Sequence, residues 1–124
     1  NCKIIGIEPE GAKGMTESLK MNKPIKDVKL NTIADSLAAP LHMEYSYRIA
    51  KQVIDNMYTV SDKEMINAMK IMYDKFKLIL EPACSATIAA LLGPLNNKLK
   101  NQNTVIILCG TNIDVKTWTN LIKH

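Results

Sequence analysis

Isoleucines stand at positions 4, 5 and 7 of the stretch KIIGIE, Lys3 to Glu8, without strict alternation of apolar and polar residues. A run of this kind predicts a short strand apolar on both faces, as in a parallel sheet. Glu8-Pro9-Glu10-Gly11 stops it, and Ala12 to Met21 then predicts a helix with Met15 and Leu19 four apart. Asn22 to Asn31 reads as loop. Thr32 to Pro40, TIADSLAAP, is small and apolar with little rhythm. Such a segment lets the backbone approach another group closely. His42 to Asn56 predicts a helix with Tyr45, Ile49 and Ile54 toward one face, and Met57 to Val60 a short strand.

Ser61-Asp62-Lys63-Glu64 is the clearest local signal. Ser61 stands at the N-cap and Glu64 three residues on, which is a capping box, with Val60 and Met65 as its hydrophobic staple. The helix is expected to reach about Lys75, with Met65, Met69, Met72 and Phe76 as a core stripe. Leu78 to Leu80 reads as a short strand or turn. Glu81-Pro82 opens a helix, where proline lacks only an N–H that has no partner in the first turn. Ala83 to Leu92 is rich in small residues and ends at Gly93-Pro94. Leu95 to Lys100 predicts a further short helix, Thr104 to Leu108 a central strand, and Asp114 to Ile122 a closing helix carrying Trp118.

Strands alternating with helices imply one α/β domain over 1–124, with a mostly parallel sheet flanked by helices. Ligands of such sheets gather at the carboxyl ends of strands. That singles out Glu8, Glu81 and the turn Cys109-Gly110-Thr111-Asn112.

Composition narrows the function classes. The 124 residues are 47% hydrophobic and 23% charged, ordinary for a globular chain with a real core. The net charge is +4, but the fifteen lysines are scattered and aromatics make up 5%. No basic groove or base-stacking surface results, so no nucleic-acid partner is expected. No apolar run nears the length of a membrane span, and no signal peptide is visible, so no membrane partner is expected either. Cys2, Cys84 and Cys109 are odd in number and fit no zinc spacing, which favours reduced thiols in a cytoplasm. His42 and His124 are isolated and read as no metal ligands. A chain that starts at Asn1 and enters a strand almost at once is expected to be truncated or processed.

No GxGxxG, Walker loop, GxSxG or HExxH is present. An unrelated nucleotide-binding domain is disfavoured for want of a phosphate loop. Glu8 and Glu81 at element ends are commonly solvated or bonded to backbone. Cys109, at the end of TVIIL, leaves three readings open: a small core residue, a nucleophile without a nearby base, or a group that meets a bound ligand.

Taken together, IIGIEPEGAKGM, NTIADSLAAP, VSDKEM, LILEPACSATIAALLGPL and VIILCGTNID, in that order, resemble the C-terminal part of the pyridoxal-phosphate-dependent serine/threonine dehydratases. This fold type II family includes threonine ammonia-lyase and serine racemase. The resemblance implies a three-layer α/β architecture and pyridoxal 5'-phosphate (PLP) as cofactor. It places Cys109 opposite the ring nitrogen, where the family carries Ser or Cys, with Gly110 and Asn112 on the same turn. Ser36 falls where many members have Gly beside the ring, and Glu81 opens a helix beside the pocket. Glu8 and the Ala12 carbonyl match the family's cation site. A further acid of some members is Gly14 here, which points to a monovalent ion or none.

The resemblance also implies what is missing. The Schiff-base Lys and the Gly-rich phosphate loop belong to the N-terminal part, so no catalytic residue is assigned in this chain. The parent protein is expected to be an ammonia-lyase converting a hydroxy amino acid to a 2-oxo acid and ammonia, and a homo-oligomer. The 124 residues alone are expected to be inactive. The alternative is a non-catalytic half-domain that pairs with a partner or with itself. An end soon after Trp118, if native, would favour a degradative enzyme without a regulatory domain.

Overall fold

A computed structural model describes residues 2–123; Asn1 and His124, both remarked on above, lie outside them. Two parallel strands form the sheet, β1 (Ile5–Pro9) and β2 (Asn56–Val60), in register from Ile5 beside Asn56 to Pro9 beside Val60. A 3-10 turn (Glu10–Ala12), helix α1 (Gly14–Met21), a long irregular stretch and helix α2 (Glu44–Val53) connect them. The long crossover is what parallel pairing demands. Helices α3 (Asp62–Phe76), α4 (Pro82–Leu92) and α5 (Val115–Ile122) follow. The predicted parallel sheet with flanking helices is the architecture found.

The core lies where α3, α4 and the sheet meet. Met65, Met69, Ala68, Ala90 and Val60 are completely buried, with Cys84, Ala86 and Ala89 close to it. Small residues on α4 let α3 approach closely. The Ser85 hydroxyl, also fully buried, lies 2.7 Å from the Pro82 carbonyl and 3.1 Å from the Met65 carbonyl, so it joins the two helices. A buried hydroxyl left unpaired would cost about 1–3 kcal/mol, and Ser85 avoids this. The capping box forms as read: the Glu64 amide donates to Ser61 Oγ at 3.3 Å, and the Ser61 amide donates to Glu64 Oε2 at 2.7 Å.

Several expected elements differ. Thr104 to Leu108 is no central strand. It pairs with no strand among the described residues, and Val105 is 92% and Ile107 73% exposed. A strand exists only with a ladder partner, and the sheet here stops at β1 and β2. Of this run Ile106 alone packs on the core. Phe76 leaves the predicted stripe because residues 73–79 are all exposed; the last turn of α3 stands clear of the core and ends at Lys77, φ 58°. Leu95 to Lys100 forms consecutive turns rather than a helix, started where the Leu95 amide donates to the Ala90 carbonyl at 2.9 Å beyond Gly93-Pro94. The helix placed over His42 to Asn56 spans only Glu44–Val53; at its C-terminal end Asn56 already joins β2. No helix among the described residues is long and apolar enough to cross a membrane.

Candidate functional site

The start of α4 gathers part of the predicted site. Glu81 is its N-cap residue, in extended backbone (φ −73°, ψ 160°), and Pro82 takes the first helical position. The side chain of Glu81 makes no capping bond, so the helix does not consume the carboxylate. Instead the Glu81 amide donates to the Gly110 carbonyl at 3.3 Å, and the carboxyl group lies over Gly110. A Cβ at position 110 would come within 3.0 Å of Glu81 Cγ and collide with the carboxyl beyond it. Glycine at 110 is what lets the Glu81 carboxyl group rest on the turn; a side chain there would turn that carboxyl away.

Cys109 is exposed, which removes the buried-core reading of its thiol. Among the described residues no histidine bonds it. It is carried against α4 by its neighbour Gly110. Asn112, two residues on, is exposed. Ser36 is exposed on a 3-10 turn, Asp35–Leu37, that packs on α4. Its amide donates to Asp35 Oδ1 at 2.7 Å. Glu81, Gly110 and Cys109 thus form one cluster, with the Ser36 turn on the same helix.

Glu8, at the end of β1, is engaged elsewhere. Its carboxylate accepts the Met15 amide at 2.8 Å, the Thr16 amide at 2.8 Å and the Thr16 hydroxyl at 2.6 Å. This anchors the N-terminus of α1, where negative charge is favourable. His42 Nε2 stands 3.9 Å from Glu8 Oε1, both side chains largely shielded from water. Three of about four lone-pair directions of the carboxylate are taken. As arranged it serves the helix. No cluster of three or more His, Cys, Asp or Glu suited to a metal occurs among the described residues. The His42 contact was invisible in the sequence, because the two residues share no element.

Two surface clefts of about 400 and 440 Å3 share Glu10, Gly11 and Asn31, away from Cys109 and Glu81. Cys109 is exposed and lines neither cleft, so its cluster presents an open wall. As a wall it suits a flat ring: an exposed thiol, a glycine that admits close approach and an uncommitted carboxylate edge it without bulk. The residues present fit one side of PLP.

Comparison with known proteins identifies the family. Residues 1–110 match the family described as pyridoxal-phosphate dependent enzyme, and the chain belongs to that family. It is similar to a phenylserine dehydratase of Ralstonia pickettii, 42% identical over 117 residues, covering 94% of this chain and 36% of that protein. A serine racemase of Schizosaccharomyces pombe is 30% identical over 124 residues, covering 100% of this chain and 38% of that one. Among solved structures, the processed form of threonine deaminase isoform 2 from Solanum lycopersicum superposes with a TM-score of 0.87 at 34% identity. That match covers 99% of this chain and 34% of the other. The chain therefore spans little more than a third of the length of these relatives.

Proposed function

We propose that the chain is the C-terminal part of a PLP-dependent dehydratase. The enzyme removes water from a 3-hydroxy amino acid, threonine or serine, and releases ammonia and a 2-oxo acid. The observation that carries this reading is the Glu81–Gly110 contact, which fixes the Cys109 turn to the start of α4. PLP, when bound, supplies the electron sink for breaking the substrate's Cα–H bond.

The residues of this chain orient that cofactor. Cys109 would offer the ring nitrogen a weakly hydrogen-bonding thiol. A carboxylate there would hold a proton on the nitrogen; a thiol does not, which tempers the sink and suits elimination. Glu81 and Gly110 would line one edge of the ring, Ser36 would narrow the side where glycine is common, and Asn112 would extend the wall. The covalent Lys and the phosphate loop would come from the N-terminal part of the protein, so the 124 residues alone are inactive in this reading. The same reading places the protein in the cytoplasm, supported by three free thiols.

The test is product analysis on the purified protein that contains this chain, supplied with PLP and L-threonine or L-serine. Ammonia and 2-oxo acid in equal amounts are expected. D-serine without oxo acid would replace the dehydratase with a racemase, and ammonia release by the isolated 124 residues would refute their inactivity. Exposed Val105 and Ile107 favour a second reading, a half-domain that associates through this face. Dimers of the 124 residues on size exclusion would support it, and a monomer would count against it.

A further inference from the structure

We propose that Asp62 and Thr32 form a clamp that positions the Ser36 turn against the cofactor wall. The inference rests on the reading that Ser36 faces PLP. Asp62 Oδ1 accepts the Thr32 hydroxyl at 2.6 Å, and Oδ2 accepts the Ile33 amide at 3.1 Å. Thr32 Oγ1 in turn accepts the Ala34 amide at 3.2 Å. One carboxylate thereby holds three consecutive residues from far along the chain. Bonds to a charged acceptor are the stronger kind.

The order continues to Ser36. Ala34 is fully buried, and the Leu37 amide donates to its carbonyl at 3.0 Å. Asp35 Oδ1 accepts the Ser36 amide, and the Asp35 carbonyl accepts the Ala38 amide at 2.9 Å. The amides of residues 33, 34, 36, 37 and 38 are all engaged, though the segment has no regular structure beyond one 3-10 turn. Asp62 is the link from this segment to the rigid start of α3. Capping does not explain it, because Ser61 and Glu64 already cap α3. Both Asp62 oxygens are turned to the 32–34 segment instead. Asp62 and Thr32 are positioning residues: they touch no reacting atom and act through the place of Ser36.

Thr32→Val keeps the shape and removes the hydroxyl; Thr32→Ser keeps the hydroxyl. Both are made in the whole protein loaded with PLP. Amide hydrogen exchange over 33–38 is measured together with PLP affinity and the separate effects on kcat and KM. Thr32→Val is expected to speed exchange in this segment about tenfold while α4 is unchanged, and to weaken PLP binding or kcat/KM about tenfold. Thr32→Ser is expected to stay near the wild type. Equal damage from both variants would assign the effect to packing and overturn the clamp. Faster exchange with unchanged PLP affinity and kcat/KM would make the contact merely structural and overturn it too. If Thr32→Val does not fold, Asp62→Asn, which keeps one acceptor, is expected to give a weaker form of the same pattern; no change there would overturn the proposal. A wild type that yields no oxo acid would refute the dehydratase, while exchange and PLP affinity would still decide the clamp.

Discussion

Met65 and Ala68 on α3 are fully buried in the core shared with α4, whereas Val105 is 92% and Ile107 73% exposed on a segment of equally apolar sequence. In the first region each apolar face finds a partner within the chain, and the one buried hydroxyl, on Ser85, is bonded. In the second, backbone and side chains have no strand beside them among the described residues. Apolar character records what a segment can bury; burial needs a neighbour as well. The Cys109–Asn112 turn continues from the unpaired segment, so the candidate site joins the two regions: Gly110 is tied to the packed half through Glu81.

This contrast can be broken by substitution. Met65→Ala should cost about 2–5 kcal/mol of unfolding free energy, by lost burial and the cavity left behind. Val105→Ala in the same chain should stay within about 0.5 kcal/mol. Denaturant melts of both variants check this, and equal losses would mean that the 104–108 segment is buried in solution. Next in size is Gly110→Ala. Its Cβ would displace the Glu81 carboxyl group from the turn, and PLP affinity is expected to fall about tenfold in the whole protein by titration of the visible cofactor band. Ser61→Ala, which removes half of the capping box, should cost about 1 kcal/mol and fray α3 from its start.

The smallest effect is at the other end of the chain. Hydrogen bonds from the Thr117 side chain and amide hold the carboxyl of Asp114 below its ordinary value of 3.8. A carboxylate depressed in the folded state adds stability above its unfolded value and loses it as pH falls through the folded one. The start of α5 should therefore loosen only in acid below about pH 4. The amide signal of Thr117, which donates to Asp114 at 2.9 Å, would report it, and loosening near neutrality would contradict the account.

What the sequence disclosed follows the same division. The capping box, Pro82 at the start of α4, the two parallel strands and the methionine face through Met72 are local patterns, and local physics realises them. The pairing of Thr104 to Leu108 depends on residues elsewhere, so an apolar run alone could not fix it. Glu8 was legible as an acid at a strand end but not as the anchor of α1 beside His42. Glu81 was open between helix capping and the site, and its side chain lies on Gly110 without capping. Thr32 and Asp62 gave only a weak signal, a hydroxyl and a carboxylate in segments otherwise read for their caps and small residues. Their contact is tertiary.

The most direct test of the Cys109 wall is the visible absorption band of PLP in the whole protein, compared between wild type and Cys109→Asp. If Cys109 faces the ring nitrogen, the new carboxylate will favour a proton there, shift the band and slow elimination. An unchanged band with unchanged turnover would contradict the placement of the cofactor on this wall.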